Sequence, residues 1–185
     1  MKTAMKTMAL TTALLAGPAL ADGLPEGCYV RDYSDAHLAS QPQQVVDWMQ
    51  LWVYQNQFEN KSAMMQVRFA AQGHVAGTRH AGQVLDQSAL CYEFEGGPTC
   101  VVDCDGGRFQ VVRDTGDAIT IQTNYFMVGQ TGSCGGAADL AEKPDQAVKY
   151  KLYRADARQC AGVRALLVRD GVPPQEGPSD TGDSK

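Results

Sequence analysis

The chain has 185 residues, and its 16 Lys and Arg against 21 Asp and Glu leave a net charge of −5. That length is enough for one domain with a real core, while the acidic balance is a poor match for nucleic acid, where cationic contacts to phosphate dominate affinity. No apolar run approaches the roughly 20 residues that a membrane-spanning helix needs.

Lys2 and Lys6 precede an apolar run from Met8 to Ala16, and Ala19-Leu20-Ala21 places small residues where a signal peptidase reads them. Residues 1–21 are therefore predicted to be a secretory signal, cleaved before Asp22. Loss of its two lysines moves the net charge from −5 to −7. No cysteine directly follows the cleavage site, so no lipid anchor is expected there. The expected location is the bacterial periplasm or the exterior.

The mature part begins with a short strand, Gly27 to Tyr33, opened by Pro25. Ser34 to Pro42 is polar, carries His37 and reads as a loop or one helical turn. Gln44 to Gln55 is the longest strand candidate. Val45, Val46, Trp48, Trp52, Val53 and Tyr54 make six of the ten residues from Val45 to Tyr54 β-branched or aromatic, which favours strand over helix. At a period of two, Val46, Trp48, Gln50, Trp52 and Tyr54 share one face.

Ala63 to Ala71 alternates cleanly, with Met65, Val67 and Phe69 opposite Met64, Gln66 and Arg68, as a half-buried strand does. Gln72 to Gly82 is glycine-rich, holds His74 and His80, and reads as a turn with an irregular strand. From Leu90 to Val112, two turn signals (Glu95-Gly96-Gly97-Pro98 and Asp105-Gly106-Gly107) separate short β-rich runs, which predicts a three-stranded meander.

Arg113 to Asp117 reads as a hairpin turn, Ala118 to Val128 as a second long strand, and Gly129 to Asp145 as a long loop closed by Pro144. Ala147 to Arg154 alternates Val148, Tyr150 and Leu152 against Lys149, Lys151 and Tyr153, a last half-exposed strand. One β domain is thus expected over 22–160. A short helix or extra strand is expected over 161–170, and a tail of disorder-like composition over 171–185.

Short strands with turns at close spacing and no long helix indicate an all-β domain. Closing the sheet removes its edges, so the expected architecture is a small, disulfide-stapled antiparallel β-barrel of about eight strands. A two-sheet β-sandwich is the alternative.

The six cysteines, all beyond residue 21, are an even set in an exported chain and predict three disulfides. Cys28 and Cys160 stand at the two ends of the strand-rich region, and first and last strands are neighbours in a closed barrel, so these two are expected to pair. The others are expected as Cys91 with Cys100 and Cys104 with Cys134. Centring the first hairpin on Gly96-Gly97 sets Cys91 opposite Val102, so its bridge to Cys100 would need a bulge or a longer turn.

Candidate chemistry is sparse. There is no Gly-x-Ser-x-Gly, no free thiol is expected, and Cys100-x-x-x-Cys104 lacks the second pair of a zinc site. His74 and His80 are not spaced as a helical metal site, and Asp103-x-Asp105-Gly106 lacks the later ligands of a calcium loop. No catalytic residue, metal or cofactor is assigned. Trp48, Trp52 and Tyr54 are the candidate binding residues, since an aromatic strand face can stack on sugar rings or anchor a partner.

The glycine-x-tryptophan signature of lipocalins is absent. The general plan of signal peptide, small acidic β-barrel and disulfides is similar to bacterial periplasmic lysozyme inhibitors, in architecture alone, and no functional residue is carried over. The expected function is that of an exported, monomeric, non-catalytic binding or inhibitory protein. Its expected partner is a basic envelope protein or a saccharide. The alternative is a periplasmic enzyme whose site is built from loop residues such as His37, His74 and His80.

Overall fold

The computed structural model describes residues 23–129, 135–169 and 171. The predicted signal segment, Cys134 and nearly all of the tail lie outside the described residues. In chain order the elements are β1 (Gly27–Asp32), α1 (Asp35–Ser40), β2 (Val46–Gln55), β3 (Lys61–Phe69), β4 (Val84–Phe94) and β5 (Gly97–Val101). They continue with β6 (Gly107–Asp114), β7 (Ala118–Val128), β8 (Ala138–Asp139), β9 (Val148–Ala155) and α2 (Ala161–Arg169). A single 3-10 turn, Gly73–Val75, lies within the β3–β4 connection.

Each of the eight longer strands pairs antiparallel with its neighbour from β1 to β7, then β7 with β9 and β9 with β1, and the ring is closed. The short β8 adds to the end of β7 through Met127 and Val128. Closure leaves no long unpaired edge, which is the physical reason a β-rich chain of this size takes this form.

Inward positions carry large apolar groups. Tyr29, Met49, Leu51, Phe69, Phe109, Phe126 and Tyr150 are all fully buried in one cluster. Eight strands leave an interior just wide enough for side chains or one small ligand. Here large apolar side chains occupy it.

The sequence alternation decides most strand faces. In β9, Tyr150 and Leu152 are buried while Lys149, Lys151 and Tyr153 are exposed. β2 is different. Its pairing with β3 shifts between Val46 and Trp48, a bulge that turns Val46 into the core with Met49, Leu51 and Val53. Period-two alternation alone puts Val46 beside the tryptophans; the extra residue reverses its face.

The first meander turn is also one residue from its expected centre. Phe94 pairs Gly97 around Glu95-Gly96, so Cys91 sits directly opposite Cys100 and the two are bridged without a bulge. Cys28 and Cys160, separated by 132 residues, form the second bridge. No described cysteine is free. The pairing expected for Cys104 involves Cys134, outside the described residues.

The segment after β9 is helical. From the Cys160 tether, α2 runs over the outside of β2 and β3, and Val163 and Leu167, one turn apart, bury against Trp52, Tyr54 and Met64. The Gln50 amide donates to the Gln159 carbonyl, fixing the start of the helix to β2. No helix among the described residues is long and apolar enough to cross a membrane.

Candidate ligand-binding site

The expected aromatic face of β2 is not an open surface. Trp52 is only 2% exposed and Tyr54 is buried, both beneath α2, and Trp48 is half-buried with the Arg68 guanidinium 5.9 Å from its ring. The strand is apolar on both faces because it packs inward on the barrel core and outward on the helix. Burial is what α2 provides for Trp52 and Tyr54.

The histidines lie at the barrel end that carries α1 and the β3–β4 connection. His37 Nε2 is 2.9 Å from Gln44 Oε1, and its ring stacks on Tyr33 with centroids 4.7 Å apart. His74 Nε2 is 3.0 Å from the Ala141 carbonyl, while His80 lies beside its neighbour Arg79. The partners of His37 and His74 are thus an amide and a backbone carbonyl, as in packing contacts that join loops.

Tyr33 and Glu142 sit at the same end. Burial pushes both up from their ordinary values, against the opposing influence of Arg31 on Tyr33 and of Lys143 and His37 on Glu142. Among the described residues, no three His, Cys, Asp or Glu side chains are grouped as a metal site requires. In the β5–β6 connection, Cys104 and Asp105 both take positive φ, and Val102 N–H donates to the Gly107 carbonyl, so those acidic residues belong to a tight turn.

The outer face of β4–β7 carries no sequence motif. Two depressions of about 330 and 270 Å³ lie side by side there, and Arg108 and Gln110 line both. The first adds Phe94, Glu95, Thr99 and Val101; the second adds Gln122, Thr123, Asn124, Asp145 and Ala147.

Register explains how these residues meet. Tyr92 pairs Thr99, Thr99 pairs Gln110, Gln110 pairs Gln122 and Gln122 pairs Lys149, giving one row of side chains across five strands. A second row runs Leu90, Val101, Arg108, Tyr125. Neighbouring strands are about 4.8 Å apart, so each row is a track some 15–20 Å long.

The chemistry of the tracks is mixed. Tyr92, Phe94 and Tyr125 are 45%, 55% and 44% exposed, and Tyr92 and Phe94 meet edge to face at 6.2 Å. Between the rings of β4 and β7 stand Arg108 and Gln110 of β6, with Gln122 and Asn124 on β7 itself, and these four side chains make no hydrogen bond with a described residue. The Thr123 hydroxyl instead donates to the Arg108 carbonyl and accepts from Tyr125 N–H, holding the bulged part of β7 against β6. Open amides and exposed rings on a rigid sheet can hydrogen-bond and stack at once.

The chain matches no protein-family model, no curated protein and no solved structure.

Proposed function

We propose that this is an exported, non-catalytic binding protein whose ligand is a saccharide chain held on the outer face of β4–β7. The carrying observation is the set of uncommitted polar heads of Gln110, Gln122, Asn124 and Arg108 beside the exposed rings of Tyr92, Phe94 and Tyr125. Amides offer both donors and acceptors, which suits a surface of hydroxyls, and aromatic faces suit the apolar sides of sugar rings. The apolar side chains packed in the interior favour a ligand on the outside.

Export is supported by the basic, apolar and small-residue order of residues 1–21 and by the Cys28–Cys160 and Cys91–Cys100 bridges, which persist in oxidising compartments such as the periplasm. The partners of His37 and His74 favour a binding role over catalysis.

The test is amide-shift mapping of the isotope-labelled protein titrated with soluble oligosaccharides. Shifts should gather on Thr99, Arg108, Gln110 and Gln122. Shifts confined to His37, His74 and Glu142 would favour the enzymatic alternative instead, and no shift with any sugar would end the saccharide reading.

A further inference from the structure

The charge on this face runs against the charge of the chain. All five ion pairs among the described residues lie elsewhere, at Lys61–Glu26, Arg68–Asp32, Arg68–Asp47, Arg158–Asp156 and Arg169–Asp86. Arg108 and Arg113 on β6, and Lys149 and Lys151 on β9, take part in none. They flank the neutral outward residues of β7, because Thr120 pairs both Arg113 and Lys151, and Gln122 pairs both Gln110 and Lys149.

Thus the outer face of β6–β7–β9 is a cationic band with an uncharged centre, on a chain whose net charge is −5. The acidic residues lining the two depressions are Glu95 and Asp145, one in each. Four cations without carboxylate partners on a rigid sheet attract an anion more strongly than scattered surface pairs, whose charges already cancel.

From this band, and resting on the saccharide reading above, we infer that the ligand is an acidic polysaccharide carrying repeated carboxylates, a polyuronate. Its hydroxyls and ring faces meet Gln110, Gln122 and Tyr92, while its carboxylates meet Arg108, Arg113, Lys149 and Lys151. Binding is reversible, with no bond made or broken. A neutral sugar would leave the band unused, and a basic protein would be repelled by it.

The test is calorimetric titration with an oligogalacturonate and with a neutral oligosaccharide of equal length. The acidic chain should bind at least about tenfold more tightly at about 0.01 M salt, where charges act over roughly 30 Å. That preference should largely vanish at about 1 M salt, where screening leaves roughly 3 Å. Lys149→Glu with Lys151→Glu, both on exposed positions, should abolish the preference while circular dichroism and melting stay unchanged. Gln110→Ala should weaken both sugars alike.

Equal binding of the two sugars would overturn the polyuronate inference and leave the saccharide reading standing. Binding of neither would overturn both. Tighter binding to single-stranded DNA, or to phosphatidylglycerol vesicles, than to the oligogalacturonate would show a general anion surface and overturn the inference. If the charge-reversed variant melts early, Lys149→Gln with Lys151→Gln supplies the same comparison with smaller disturbance.

Discussion

Arg154 on the last long strand donates to the Tyr29 hydroxyl of the first, 2.7 Å away, across the seam where the barrel closes. The same guanidinium donates to the Glu26 and Gly116 carbonyls and lies over the Tyr29 ring, 5.1 Å from its centre. One side chain thereby ties the amino-terminal segment and the β6–β7 turn to the closing strand. Tyr29→Phe should cost about 1.5–3 kcal/mol, read from denaturant midpoints, because it removes the bond to the charged Arg154 and the hydroxyl's donation to the Pro25 carbonyl.

The same contact predicts an alkaline limit. Burial pushes the Tyr29 phenol up from 10.0 to about 12, against the lowering effect of Arg154. Between those values the unfolded chain has lost a proton that the native protein keeps, so native stability falls as pH rises. The contribution should be complete below about pH 10 and lost as pH passes through about 12. Tyr150, pushed up by burial as well, acts in the same direction. Denaturant midpoints at about pH 9 and about pH 11 should show this fall, and Tyr29→Phe should reduce it.

Trp52→Ala should destabilise by about 3–5 kcal/mol, because it empties the space between β2 and α2. A neutral quencher should reach Trp48 in preference to Trp52 in the native protein. Equal quenching of the two indoles, resolved with single-tryptophan variants, would contradict the docking of α2.

Replacing Cys28 and Cys160 together by serine opens a loop of 132 residues and should cost about 4–5 kcal/mol in the chain-entropy account. Protease cleavage after Arg164 or Arg169 should accelerate in that variant, since α2 loses its tether to β1.

Gly107 has φ of +81°, and a Cβ there would stand 2.1 Å from the Tyr125 carbonyl oxygen. Gly116 has φ of +78° with nothing within 4 Å. Alanine at Gly116 should therefore cost only the left-handed strain of about 1–2 kcal/mol. Alanine at Gly107 should cost clearly more, because β6 and β7 must part. Melting temperatures of the two variants give the comparison directly.

Much of the architecture was legible in the chain. Alternation in Val148–Arg154, the β-rich run from Ala118 to Val128 and the turn residues of the meander depend on neighbours along the chain, and those survive into the fold. The need to remove sheet edges pointed to a barrel, and closure then placed Cys28 near Cys160. What tertiary structure alone decided was register and cover. Gly96 and Gly97 both take positive φ, so local preference does not choose the hairpin centre; pairing across β4 and β5 does. A bulge turned Val46 inward, and a helix beginning more than 100 residues later in the chain covered Trp52 and Tyr54. The proposed ligand face had no sequence signal at all. Its row from Tyr92 to Lys149 takes one residue from each of five strands, and bulges at Arg108/Gln110 and Val111/Arg113 offset β6 from β7, so the spacing along the chain carries no period that would bring those side chains together.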